Sequence, residues 1–163
     1  MLRKLFPHPG LTLLLIVTWL MLVNEFKWGS LVFAAMLGVL IPLLTAPYWP
    51  DRPKIRNWPA VAEFIAIVLW DIVKSNVTVA LIVLFKSRAA LQPAWVSVPL
   101  DLRSPEAITV LAGTITMTPG TVTADMSADG RALLVHCLHA PDPDGVRDDI
   151  KARYETRLQR IFA

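Results

Sequence analysis

PAVAEFIAIVLWDIVKSNVTVALIVLF, residues 59–85, decides how this chain is organised. The run is long enough and apolar enough to cross a bilayer, yet it carries Glu63, Asp71 and Lys74. In a helix turning 100° per residue, Glu63, Trp70, Asp71, Lys74 and Thr78 fall within about a 100° arc, a single polar stripe on an otherwise apolar cylinder. An unpaired charge at mid-bilayer costs about 2.5–3.5 kcal/mol on insertion scales, so three of them do not face lipid. Either the stripe packs on a partner protein, or the first part of the helix lies in the membrane interface.

Upstream, the apolar runs carry no charge at all. Leu11–Val23 and Leu31–Ala46 are joined by NEFKWGS, which is short enough to force a tight hairpin. At 1.5 Å per residue they extend roughly 20 and 24 Å, and flanking residues complete a span of a hydrocarbon core near 30 Å. Trp28, Trp49 and Trp58 stand where interfacial aromatics belong. A basic start followed by an apolar core resembles a secretory signal, but bulky LMLVNEF offers no small-x-small cleavage site, so the segment is expected to be retained. Arg3 and Lys4 precede the first helix, and Arg52, Lys54 and Arg56 follow the second. The positive-inside rule therefore puts both ends of the hairpin in the cytoplasm. A spanning third helix would carry the remainder outside, although Lys86 and Arg88 follow it. The consistent arrangement is an in-plane or re-entrant third helix and a cytoplasmic C-terminal domain.

Residues 1–94 hold nine Lys/Arg against four Asp/Glu, and residues 95–163 hold seven against nine. The net charge of +3 thus belongs to segments flanking apolar stretches. That is the pattern of membrane orientation rather than of a basic, aromatic-interleaved nucleic-acid face. Beyond residue 94 the patterning changes. AWVSVPLDL alternates as a strand over about 95–102, with Val96, Val98 and Leu100 on one side. Ser104-Pro105-Glu106 is an N-cap, a first-turn proline and a first-turn acid, starting a helix that runs to about 114–116. In TMTPGT, Pro119-Gly120 fits the centre of a type II turn between Thr118 and Thr121. Alternating Thr121–Met126, the Asp129-Gly130 hairpin signal and returning ALLVHCL follow. The tail is a helix with an apolar stripe of Val146, Ile150, Tyr154, Leu158 and Ile161; Arg157 and Arg160 in its last turn complement the helix dipole.

The expectation is an α+β membrane protein. A membrane module, 1–92, would contain helices at about 10–24, 31–46 and 59–85: a transmembrane hairpin and a third long amphipathic hydrophobic helix. A small α/β cytoplasmic domain, 95–163, would have the order βαββα.

The candidate motifs carry no catalytic or ligand-binding signature. TMTPGT has one glycine, no lysine and a following strand, so it is a turn and not a phosphate cradle. His136, His139, Asp142 and Asp144 lack the spacing of a metal site. No G-x-S-x-G elbow occurs, and the single Cys137 reads as a small buried thiol. No enzyme, metal, cofactor or nucleic-acid partner is expected. The candidates that remain are Glu63, Asp71, Lys74 and Asn76, for docking a partner or lining an ion path, with Thr118, Pro119, Gly120 and Thr121 as a structural turn. Within the docking reading, Asp71 and Lys74 form an i,i+3 pair.

DIVKSNVTVALIVL together with VSVPLDLRSPEAITVLAGTITMTPGTVTADMSADGRALLVHCL resembles the E subunit of the multisubunit Na⁺/H⁺ antiporters called Mrp, Mnh or Pha. Asp71, Ser75, Asn76, Val79 and Ala80 carry one run; Thr118, Pro119, Gly120, Thr121, Leu134 and His136 carry the other. The likeness covers roughly residues 60–142, and extends to the hairpin by hydropathy. It implies a small accessory subunit of a cell (inner) membrane complex that exchanges Na⁺, sometimes K⁺, for H⁺ in pH and salt homeostasis. Its partners would be the larger antiporter subunits, to which ion translocation is mainly attributed, and the lipid bilayer. Its own role would be assembly and stability. The alternative is a direct contribution to the ion or proton path through the Glu63/Asp71/Lys74 stripe.

Overall fold

A computed structural model describes residues 9–48, 55 and 57–162. Its contacts divide the chain into two compact units, Met1–Arg52 and Pro53–Ala163. The basic residues Arg3, Lys4, Arg52, Lys54 and Arg56, with Trp49, lie outside the described residues.

The first unit is a helical hairpin, α1 (Pro9–Val23) and α2 (Trp28–Thr45), the latter prolonged by a 3₁₀ turn at Ala46–Tyr48. Asn24 ends α1 in the left-handed region, φ 49°, a conformation that asparagine tolerates at helix ends. The helices meet along the small residues Ala34, Gly38 and Pro42. At Gly38 an added Cβ would come within 2.8 Å of Ile16 Cγ1 and 3.0 Å of the Thr12 carbonyl oxygen. That is the close backbone approach by which apolar helices pack when lipid supplies no hydrophobic drive between them. Trp28–Tyr48 is long and apolar enough to cross a bilayer; Pro9–Val23 is a shorter apolar helix.

The second unit starts with α3 (Trp58–Phe85). Asn57 Oδ1 accepts from Ala60 N at 3.1 Å and caps it, and Pro59 sits in the first turn, where its missing N–H is not needed. Then come β1 (Ala94–Pro99), α4 (Pro105–Met117), β2 (Thr121–Met126), β3 (Ala132–Cys137), α5 (Pro143–Ile150), a π-helical turn (Lys151–Glu155) and α6 (Thr156–Phe162). The strands form one antiparallel sheet ordered β1-β3-β2, pairing Val96 with Val135 and Val98 with Leu133. Those residues point inward with Cys137, onto Ala107, Leu111 and Ile115 of α4 and onto Ile150, Tyr154, Leu158 and Ile161 of the tail helix. The helical layer in turn carries Ala60, Phe64 and Val68 of α3.

One feature differs from the sequence expectation, and one settles which side of β2 is buried. Composition changes near residue 95, but the second compact unit begins at Pro53. A helix with a stripe at 60, 64, 68 and 71 buries that stripe on the nearest complementary surface, here the chain's own tail helix. In β2 the buried side is the hydroxyl side: Thr121 and Thr123 turn inward, while Val122 and Met126 are exposed. Their hydroxyls reach the end of α4, Thr121 Oγ1 donating to Ile115 O (2.7 Å) and Thr123 Oγ1 to Ala112 O (3.1 Å). The Ile115 carbonyl lies in the last turn of α4, and Pro119 offers it no N–H, so Thr121 caps the helix end; the Ala112 carbonyl lies a turn further in and takes Thr123 as an additional side-chain donor beside the Thr116 hydroxyl.

Candidate functional site

The polar stripe of α3 meets the tail helix. Asp71, only 6% exposed, accepts from Arg153 Nε (2.5 Å) and Nη2 (2.6 Å) in a two-point fork, and from the Tyr154 hydroxyl at 3.0 Å. Phe64, two turns earlier, packs edge-on to the Tyr154 ring at 6.4 Å and 82°. Glu63 accepts from Arg157 Nε and Arg160 Nη2, both at 3.2 Å. This corrects the sequence reading at two points. Asp71 pairs with Arg153, 82 residues away, and not with Lys74; and Arg157 and Arg160 serve Glu63 as well as the helix end. The fork geometry suits arginine, whose planar guanidinium offers parallel donors to a carboxylate.

The π turn makes the meeting possible. Ile150, Tyr154 and Leu158 are four residues apart, and each four-residue step drifts by roughly 40° in an ideal helix. A widened i→i+5 turn absorbs the drift and leaves all three buried. It also sends Glu155 the other way. That carboxylate, 1% exposed, accepts from the Asp101 N–H (2.6 Å), the Leu102 N–H (3.1 Å) and Lys151 Nζ (2.8 Å), pinning the tail to the loop after β1.

Electrostatics follow the geometry. The hydrogen bond to Asp71 holds the Arg153 guanidinium above its usual value, against the opposing pull of burial. Burial pushes the Tyr154 phenol up and the Cys137 thiol up. For Lys151, burial alone would lower the ammonium, but the carboxylates of Asp101 and Glu155 outweigh it and hold it raised.

Below Asp71, the stripe residues Lys74 and Thr78, with Ser75, Val79 and Ile82 beside them, wall a cavity of about 360 Å³ between α3 and the sheet domain. Opposite stands the turn Thr118–Thr121. Gly120 has φ 93° and the Thr121 N–H donates to Thr118 O at 3.3 Å. A Cβ on Gly120 would meet Val79 Cγ2 at 3.0 Å, so glycine answers two demands here, a backbone angle and a close approach. The two runs that carry the family resemblance therefore face each other across one cavity.

The other candidates separate. Lys74 is exposed and lines the cavity, and Asn76 donates to Ile72 O at 2.8 Å. His136 meets Trp95 edge-on, ring centroids 4.8 Å apart, on the outer sheet face. His139 Nδ1 accepts from the Gln92 N–H, Asp142 Oδ1 caps α5 through the Gly145 N–H, and Asp144 pairs with Arg147. Among the described residues no group of three or more His, Cys, Asp or Glu is placed to hold a metal ion. Sequence reasoning missed Arg153 and Tyr154 as partners of Asp71. The signal was present in outline, as arginines at 153, 157 and 160 flanking the tail's apolar stripe like a second, complementary polar stripe.

Comparison with known proteins follows the same lines. A family model described as MNHE, Na⁺/H⁺ ion antiporter subunit, matches residues 12–161. The chain is 32% identical to the E subunit of a probable K⁺/H⁺ antiporter of Rhizobium meliloti, across 98% of this chain and 99% of that one. It is 24% identical to the E subunit of a Na⁺/H⁺ antiporter of Alkalihalophilus pseudofirmus, across 93% and 95%. Among solved structures it is similar to a chain of the membrane-bound sulfane sulfur reductase, an archaeal respiratory membrane complex, with TM-score 0.74, 27% identity, and 99% and 100% coverage.

Proposed function

Because the chain belongs to the MNHE family of Na⁺/H⁺ ion antiporter subunits, we propose that it is an accessory subunit which holds together a multisubunit monovalent cation (Na⁺ or K⁺)/proton antiporter. Members of this family are transporter components and not enzymes, and the chain is a membrane protein. Its partners are the other antiporter subunits.

The observation that carries the accessory role is the commitment of the α3 carboxylates to structure. A proton carrier has to release and recapture its charge. Asp71 is instead clamped by a two-point arginine fork and a tyrosine hydroxyl in a buried site, and Glu63 is spanned by two further arginines. The opposite face of α3, with exposed Ile65, Leu69, Val73 and Val77, is left for membrane or neighbouring subunits.

The same geometry supports an in-plane α3 and a cytoplasmic domain. The domain accompanies α3 from Ala60 to Lys86, about 40 Å of helix. Setting α3 upright in a bilayer would drag Asp149, Arg157 and Arg160 into hydrocarbon, at several kcal/mol in total on insertion scales. The basic residues at both ends of the hairpin favour the cytoplasmic side.

The test replaces Asp71 and Lys74 with alanine and measures complex recovery and antiport in everted membrane vesicles. The expected result is parallel loss of both. Normal assembly with a shifted pH profile of transport would instead place the stripe in the proton path.

A further inference from the structure

The cavity beneath Asp71 is continuous with a shallower depression. Through Thr78 and Ile82 it opens into a groove of about 330 Å³ that runs along Leu81 and Phe85 to Lys86. The two differ in chemistry. The groove is almost wholly apolar and nearly flat. The cavity has an apolar floor at Val79, Ile115 and Ile150 and three exposed charged side chains, Lys74 from α3, Asp149 from α5 and Arg153, the last already forked onto Asp71. Neither Lys74 nor Asp149 has an ion-pair partner among the described residues, so they flank the space without neutralising each other. Thr78 Oγ1 and Thr121 Oγ1 also line it, and their protons go to the carbonyls of Lys74 (3.1 Å) and Ile115 (2.7 Å). Each therefore offers the cavity lone pairs, as an acceptor.

Opposite charges lining one cavity complement a zwitterion, and an apolar trough that shares Thr78 and Ile82 with that cavity complements hydrocarbon. A ligand that satisfies both is an amphiphile. We propose that the cavity and groove form one binding site for a glycerophospholipid with an ammonium-bearing headgroup. The phosphate lies against Lys74. The ammonium lies against Asp149 and the threonine oxygens. The first part of one acyl chain lies along Thr78–Phe85. A primary ammonium has three N–H donors for those oxygens and a quaternary one has none, so the site selects ethanolamine over choline heads. Glycerol heads lack the positive charge that Asp149 requires. The site rests on the membrane-subunit reading only in needing lipid within reach; it needs no role in assembly.

The experiment uses the full chain purified in detergent and mixed with equimolar phosphatidylethanolamine, phosphatidylcholine and phosphatidylglycerol, with bound lipid counted by native mass spectrometry. One phosphatidylethanolamine is expected per chain, favoured about tenfold over either competitor, a difference of about 1.4 kcal/mol. Asp149→Asn should abolish the preference while lipid of all classes is still retained. Lys74→Gln should lower retention of all three, and Leu81→Asp should do so without changing their ratio. All three side chains are exposed, and unchanged melting curves would show that the variants fold.

Equal retention of the three lipids by the unaltered chain would overturn the proposal, as would a preference that survives Asp149→Asn. Competition by free O-phosphoethanolamine at the same concentrations as the lipid would reassign the site to a soluble phosphate ester. In the intact complex, a photocrosslinker on Ser75→Cys should capture lipid; capture of another subunit's polypeptide would make the cavity a protein interface. Complex recovery is read separately, so loss of assembly with headgroup preference intact would sink the accessory role and leave this site standing.

Discussion

Helices α2 and α3 are close in mean hydropathy, 2.1 and 1.9, and each is long and apolar enough to cross a bilayer, yet they are built for different surroundings. The contact face of α2 is made of Ala34, Gly38 and Pro42, residues that bring backbones close and contain nothing to ionise. The contact face of α3 begins with Ala60, Phe64 and Val68, and then places a carboxylate where a fourth apolar residue would continue the stripe. Mean hydropathy averages over faces and so misses this distinction. A helix that keeps one charged position on its buried side carries information about a specific polypeptide neighbour, because only a neighbour with a matching donor set makes that burial tolerable.

The largest effect that can break the comparison is expected at Asp71. Asp71→Ala leaves Arg153 and the Tyr154 hydroxyl without their acceptor, at a cost of about 2–3 kcal/mol after allowing for the partial exposure of Arg153. Thermal melting of the detergent-purified chain should fall steeply, with the Pro53–Ala163 unit opening first in hydrogen exchange. Asp71→Asn keeps acceptor capacity on one oxygen and should lose less. If both variants melt like the parent chain, α3 is held by apolar packing alone and its difference from α2 is cosmetic.

Next is the counterpart on α2. Gly38→Leu forces a side chain against Ile16 and the Thr12 backbone, with an overpacking cost of about 2 kcal/mol. Only the hairpin should respond: exchange protection is lost across residues 9–48 and retained in the sheet. A matching loss in the sheet would mean that the two units unfold as one.

How much of this was readable beforehand depends on the reach of each interaction. The Ser104 cap, the positive φ at Gly120 and at Gly130, and the stripe at Ile150, Tyr154, Leu158 and Ile161 are local, fixed by a few consecutive residues, and their patterns were visible. The Asp71–Arg153 fork joins positions 82 residues apart, and a single sequence offers no means of choosing Arg153 over Lys74, which is nearer. The alternation in β2 left its buried side open for another reason. Apolar residues usually face inward, but here the Ile115 carbonyl ending α4 lacked an N–H partner and Thr121 supplied a donor, with Thr123 adding a bond to the Ala112 carbonyl a turn further in. The π turn falls within two successive four-residue steps, Ile150 to Tyr154 to Leu158, a spacing that reads as an ordinary stripe until the accumulated drift is considered.

A smaller effect comes from alkaline pH, and it also separates the units. Burial raises Cys137 from 9.0 and Tyr154 from 10.0, and its carboxylate neighbours raise Lys151 from 10.5. A group whose folded value is raised contributes stability that is complete below its unfolded value and is lost as pH climbs through the folded one. The melting temperature should therefore decline above about pH 9, by protonation linkage confined to the second unit. Tyr154→Phe should flatten the part of the decline that begins near pH 10, and a limb left unchanged by that substitution would exclude the tyrosine as its source.

The smallest effect is expected at Glu63, which sharpens the contrast within α3 itself. Glu63 and Asp71 lie on the same helix, and arginines of the same tail meet both. Their energetic weights nevertheless differ, because the Glu63 side chain is 41% exposed and its contacts are 3.2 Å long, whereas Asp71 is buried and forked. Water competes for an exposed carboxylate and salt screens it, so Glu63→Gln should cost below about 1 kcal/mol and less still at high ionic strength. The loss at Asp71 should be nearly independent of salt. Measuring both variants across a salt series therefore asks whether burial, and not the count of arginine contacts, is what fastens α3 to its domain; equal salt sensitivity at the two positions would show that it is not.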